Sequence, residues 1–193
     1  MQPTDKLLAL CRPLVNTTLP NDPFQVTSAD MVQMILVATT NPGKVRELRA
    51  MLGDQVRWKS LADFPGVEEV IEDGATFAQN ARKKATGYAQ ATGLWTLADD
   101  SGLVVDALDG APGVNSARFS GDKAKGLDRK VVDRRNWEKL LALLEGVPAE
   151  KRTARFVCCL CLASPREALI ETTGSVEGLI ATEPAGEGGF GYD

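Results

Sequence analysis

The chain has no histidine anywhere in its 193 residues. This excludes a Ser-His-Asp triad, a Cys-His nucleophile pair, a His-ligated zinc and an imidazole proton shuttle supplied from within the chain. Acid–base work falls instead to carboxylates, lysines, tyrosines or a metal-bound water. Long apolar runs are missing as well, so no membrane span is expected. Leu7-Leu8-Ala9-Leu10 is too short for the apolar core of a secretory signal. There is no excess of positive charge: Lys plus Arg is 22 against 26 for Asp plus Glu, a net charge of −4, the wrong sign for coating nucleic acid. A small anionic ligand stays compatible with that balance where basic groups cluster locally. Cysteine is scarce, with four in all. Three of them, Cys158, Cys159 and Cys161, share one apolar run, and strand neighbours point to opposite faces. They read as buried free thiols in a reducing cytosol, not as a disulfide or CxxC metal framework.

What is present points to a globular fold. The chain is 44% apolar and 25% charged, and a domain of this size buries enough surface to need no covalent or metal staple. Residues 1–33 hold Pro3, Pro13, Pro20 and Pro23 and read as a weakly ordered N-terminal extension. From residue 34 onward the pattern is α/β. Met34-Ile35-Leu36-Val37-Ala38 is a continuous apolar run, as expected of a strand covered on both faces. The turn cluster Thr39-Thr40-Asn41-Pro42-Gly43 follows, and Lys44 to Leu52 reads as a helix closed by Gly53. A second helix starts at Thr76, where Thr76-x-x-Gln79 fits a capping box, carries Phe77, Ala81, Ala85 and Tyr88 at helical spacing, and ends at Gly93. Leu94 to Ala98 is a strand leading into Asp99-Asp100-Ser101-Gly102, after which Leu103-Val104-Val105 resumes the extended pattern. Asn136 to Glu145 is a helix with Trp137, Leu140, Leu141 and Leu144 inward. Thr153 to Ala163 and Ala168 to Val176 form a hairpin about the turn 164–167.

Three segments carry chemistry. The loop Thr39-Thr40-Asn41-Pro42-Gly43-Lys44 joins a strand's carboxyl end to a helix's amino end, where free backbone N–H groups and the helix dipole suit a phosphate. Gly43 permits close approach, Lys44 adds a charge and the threonine hydroxyls donate. The competing reading is an ordinary βα turn with a solvated lysine. The adjacent carboxylates of Asp99-Asp100-Ser101-Gly102 are costly to desolvate together, which fits a cation, and Mg²⁺ takes one or two protein carboxylates plus phosphate oxygens and water. The alternative is a solvated turn. Glu68-Glu69-x-x-Glu72-Asp73 offers a further ligand or simply a solvated loop. Gly186-Glu187-Gly188-Gly189-Phe190-Gly191 satisfies GxGxxG literally, yet it lacks the preceding strand and following helix of a dinucleotide site. That argues against a dehydrogenase-like or flavodoxin-like module and leaves a glycine loop carrying Phe190 and Tyr192.

Taken in order, these motifs resemble the inosine triphosphate pyrophosphatase family, also called XTP/dITP diphosphatases. The match runs from Val37-Ala38-Thr39-Thr40-Asn41-Pro42-Gly43-Lys44 through Glu72-Asp73-Gly74-Ala75-Thr76-Phe77 with Asn80-Ala81 and Lys84-Ala85, then Ala98-Asp99-Asp100-Ser101-Gly102. It continues through Gly110-Ala111-Pro112-Gly113, Ser116-Ala117-Arg118-Phe119 and Arg152-Thr153-Ala154-Arg155-Phe156 to Gly189-Phe190-Gly191-Tyr192-Asp193. The resemblance implies an α/β fold with an elongated mixed sheet and a central nucleotide cleft, spanning residues 34–193 with the C-terminal part missing. It implies Mg²⁺-dependent hydrolysis of aberrant purine nucleoside triphosphates (ITP, dITP, XTP) to the monophosphate and pyrophosphate by a cytoplasmic enzyme that is homodimeric when full length, with no nucleic-acid or membrane partner. By position, Thr39, Thr40, Asn41, Pro42, Gly43 and Lys44 hold the triphosphate. Asp100 is general base and metal ligand, Glu72 a second metal carboxylate, and Ser101 touches substrate. Phe190, Gly191, Tyr192 and Asp193 line the base pocket. Members of the family continue into Pro-Ile-Phe, a substrate-binding lysine and a Ser-His-Arg motif that reads the purine. Without these, the alternative expectation is a catalytically impaired nucleotide-binding fragment.

Overall fold

A computed structural model describes residues 34–39, 45, 46, 50, 56–121, 127–185, 191 and 192. The proposed N-terminal extension lies outside them, as does most of the helix expected over 44–52. Val45, Arg46 and Ala50 are helical, and Val45 packs against the core.

Strand β1 (Met34–Val37) forms where the apolar run predicts it. Past exposed Met34 its residues are buried on both sides, Leu36 against one core cluster and Ile35 and Val37 against another, which is why the run has no polar alternation. Strand β2 (Arg57–Ser60) pairs with it in parallel. The sequence did not announce β2, because Arg57-Trp58-Lys59-Ser60 has a single apolar residue. Helix α1 (Phe77–Thr92) is capped by Thr76, whose hydroxyl accepts from the Gln79 N–H at 3.2 Å. The reciprocal half of the expected box is displaced by one residue, since Gln79 Oε1 accepts from the Ala75 N–H at 2.8 Å.

Strand β3 (Trp95–Val105) is continuous. Asp99-Asp100-Ser101-Gly102 therefore sits inside a strand, not in a turn after one. The cause is strand β4 (Thr153–Ala163), which pairs antiparallel with β3 along its length, with Asp100 opposite Cys159 and Gly102 opposite Val157. Helix α2 (Arg129–Leu143) starts earlier than Asn136, because Asp128 caps it by accepting from the Lys130 N–H at 2.9 Å. Its buried stripe is Val132, Asn136 and Leu140, continued by Leu144 beyond the helix end, while Trp137 and Leu141 are only half-buried. Strand β5 (Ala168–Leu179) completes the hairpin and runs past Val176.

Among the described residues these strands form one mixed sheet in the order β2-β1-β3-β4-β5, with β1 parallel to β2 and β3 and the last three antiparallel. Helix α1 lies on one face through Phe77, Ala81, Ala85, Tyr88 and Ala89. Three of the cysteines behave as expected: Cys158, Cys159 and Cys161 are buried thiols outside any disulfide, Cys158 on one face, Cys159 and Cys161 on the other. Cys11 lies outside the described residues.

Candidate active site

The cleft opens where β3 changes neighbours. β1 pairs with it only over Trp95 to Leu97, ending with the Ala38 N–H donating to the Leu97 carbonyl at 2.8 Å. Further along, that edge is taken by the 3-10 segment Gly113–Arg118, where Ser116 Oγ accepts from the Leu103 N–H at 2.9 Å. Between the two lie Asp99, Asp100 and Ser101, facing a cleft of about 310 Å³. Ligands in open α/β sheets bind at such breaks in strand order, outside the carboxyl end of a parallel strand.

Asp100 is held from two directions. Its Oδ1 accepts from the Ser101 N–H and its Oδ2 from Asn80 Nδ2, both at 3.0 Å. Burial pushes the carboxyl above its ordinary value; the Asn80 bond and the nearby Lys84 charge pull the other way, and Glu72 pushes it further up. Each oxygen keeps a lone pair beyond the bond it accepts. Lys84 pairs with Glu72 at 3.2 Å, and both line the cleft. Its neighbour Lys83 pairs with Asp73.

Other parts of the wall come from further along the chain. Tyr192 lines the cleft and donates from its hydroxyl to the Ser116 carbonyl at 2.7 Å; burial pushes its phenol up, and Asp133 adds to the shift. Gly191 has a φ of +94°, and a Cβ there would lie 2.6 Å from Asp133 Cγ, so only glycine fits this passage of the backbone. Asp133 pairs in turn with Arg129 at 3.6 Å, both from α2.

Of the residues singled out in the sequence, Thr39, Glu72, Asp100, Ser101 and Tyr192 come together on this one cleft, with Gly191 beside it. Thr40, Asn41, Pro42, Gly43, Lys44, Phe190 and Asp193 lie outside the described residues. Sequence reasoning gave no role to Asn80, Lys84, Arg129 or Asp133. The usable signal was Asn80 and Lys84 themselves, two polar residues one turn apart within the apolar pattern of α1. Arg118 donates to Asn115 Oδ1 at 3.1 Å and stays exposed.

The donor set fits an open site for a hard divalent cation. Among the described residues no three His, Cys, Asp or Glu side chains form a closed cage. Asp100 and Glu72 do share the cleft. Mg²⁺ typically binds through one or two carboxylates and completes its shell with water and phosphate oxygens.

Comparison with known proteins gives one answer. The Ham1 family profile matches residues 35–193. The chain is 53% identical over 162 residues to the dITP/XTP pyrophosphatase of Desulforamulus reducens, covering 82% of this chain and 76% of that protein. It is 52% identical over 160 residues to the protein of the same name from Geobacter sulfurreducens, covering 82% and 77%. Among solved structures, a nucleoside-triphosphatase/dITP/XTP pyrophosphatase from Mycobacterium abscessus superposes with a TM-score of 0.71 at 45% identity, covering 83% of this chain and 81% of that one. A HAM1 protein from Coxiella burnetii gives 0.74 at 37% identity, covering 83% and 79%.

Proposed function

This chain belongs to the Ham1 family, and from that premise we propose that it hydrolyses non-canonical purine nucleoside triphosphates, namely dITP, XTP and ITP, to the monophosphate and pyrophosphate. The observation that carries the proposal is Asp100: a half-buried carboxylate with a raised proton affinity, oriented by two donors, in a cleft that also holds a lysine.

In this mechanism Asp100 accepts a proton from the attacking water as its oxygen bonds to the α-phosphorus. The bond from that phosphorus to the bridging oxygen breaks, and pyrophosphate leaves with the electron pair. Raised affinity for a proton makes the carboxylate a better base near neutral pH than an ordinary aspartate. Lys84, released from Glu72, and Lys44 neutralise charge on the triphosphate, with Thr39, Thr40, Asn41, Pro42 and Gly43 shaping its cradle. Ser101 contacts substrate, while Phe190, Gly191, Tyr192 and Asp193 form the base pocket. Asp100 and Glu72 would hold Mg²⁺, which when bound polarises phosphate oxygens and offsets leaving-group charge.

A domain over residues 34–193, a homodimeric assembly and a cytoplasmic location complete the proposal. The size, the reduced buried thiols and the family resemblance support them, and no described helix is long and apolar enough to cross a membrane.

The test is pyrophosphate release from dITP, XTP and ITP, against ATP and GTP, with Mg²⁺ and after chelation. The expected result is turnover of the first three only, lost on chelation. Asp100→Asn should lose about 10²–10⁴ in rate, the usual worth of a general base. Parent-like turnover by that variant would remove Asp100 from the role.

A further inference from the structure

Asn80 is buried beside the cleft, at 1% exposure, and its two ends do different work. The Gly74 N–H, which can only donate, lies 2.7 Å from Oδ1, and this fixes which end of the carboxamide is oxygen. The other end is then the NH₂, 3.0 Å from Asp100 Oδ2. Asn80 therefore accepts from the loop that bears Glu72 and donates to the carboxylate on β3. The approach to the loop is close: a Cβ on Gly74 would lie 2.6 Å from Asn80 Oδ1 and 2.9 Å from Gln79 Cβ. One turn later on α1, Lys84 pairs with Glu72.

An aspartate carboxylate has a broad, roughly two-fold torsion about its last bond. The N–H of Ser101, the next residue in the same strand, holds only one oxygen. We propose that Asn80 is a positioning residue for the hydrolysis: by donating to Oδ2 while anchored on Gly74, it fixes the plane of the Asp100 carboxylate and its placement relative to the Glu72 loop. The inference rests on the reading of Asp100 as the base. A purely structural role would need only the bond to Gly74. The bond to Asp100 is what a positioning role adds.

Asn80→Asp separates the two roles. It keeps size and shape, still accepts from the Gly74 N–H, and sets one carboxylate against another at Asp100. The expected result is a fall in kcat of about 10²-fold, the scale for a misplaced reacting group, with KM for ITP changed less than about threefold. The Tm should also fall. In Asn80→Asp/Asp100→Asn the bond re-forms with its polarity reversed, so the lost Tm should return while activity stays absent. Asn80→Ala, which has no donor, should show the same split of kcat from KM. Two results would overturn the inference: kcat of Asn80→Asp within about threefold of the parent, or a Tm loss that the double variant does not recover. A parent chain inert toward dITP, XTP and ITP would overturn the functional reading and this inference with it. Failure of the inference alone shows as an active parent, an inactive Asp100→Asn and an Asn80→Asp at parental rate.

Discussion

At the scale of single residues, the cleft stores instability where chemistry is proposed. The Asp100 carboxyl titrates above its ordinary 3.8 because burial disfavours the charge more than Asn80 and Lys84 favour it. The folded chain thus binds this proton more tightly than the unfolded chain does. Stability from the group is complete below the ordinary value and is lost as pH rises through the folded one. The Tm of Asp100→Asn minus that of the parent should accordingly be larger at pH 7 than below pH 3.8, the ordinary value. Thermal melts across that range check it; a pH-independent difference would contradict the assigned burial. The buried thiols show the same cause in another residue type, with Cys161 pushed up to about 11 by burial. They are core residues in chemistry as well as position.

Helix α1 shows how an element carries a site. It rests on the sheet through Ala81, Ala85 and Ala89, at 1%, 0% and 0% exposure. Small residues let its axis approach closely enough for Asn80 to reach β3. The outer face is tied down separately, since Arg82 grips Glu171 of β5 through two bonds of 2.9 and 2.8 Å. Replacing Ala85 by leucine should cost about 1–3 kcal/mol by overpacking and lift the helix away from β3. Urea unfolding reads the first effect as a lower midpoint. Loss of kcat beyond that of an equally destabilised variant elsewhere reads the second. Helix α2 follows the same logic with a polar member: Asn136, 1% exposed, accepts from the Ser120 N–H at 2.7 Å and donates to the Ser116 carbonyl at 3.3 Å. It anchors the segment that also receives the Tyr192 hydroxyl.

Across the whole molecule, buried Arg152 joins what the sheet alone does not. Its guanidinium donates to the carbonyls of Val147, Leu144 and Ala181, at 3.1, 2.8 and 3.1 Å, each through a different nitrogen. The end of α2, the start of β4 and the segment after β5 meet on this one group. Lysine presents its donors on a single atom and cannot reproduce that span. Arg152→Lys should therefore cost about 1–3 kcal/mol, the worth of leaving a buried acceptor unpaired. Chemical denaturation measures it, and a parent-like midpoint would show that the junction does not depend on the fork.

The α/β class, β1, α1 with its cap, the β4–β5 hairpin and some of the residues of the cleft were legible in the sequence because they are local: periodicity, turn chemistry and paired charge are written in neighbours. The continuity of β3 through Asp99-Asp100-Ser101-Gly102 was not local. Those residues read as a turn by composition and became strand because β4 supplies a partner to each, a choice made by residues 157–160. The short β2 depends likewise on a partner distant in sequence, β1, whereas the start of α2 at Arg129 is set locally by the Asp128 cap. The same holds in the cleft. The sequence alone determined that Asp100, Glu72 and Thr39 were candidates, since their chemistry is intrinsic. Only the tertiary structure decided that Asn80 would join Asp100 to the Glu72 loop and that Lys84 would neutralise Glu72. Hydrogen bonds of about 3 Å between α1, a loop and a strand exist only once the apolar stripe of that helix has been buried.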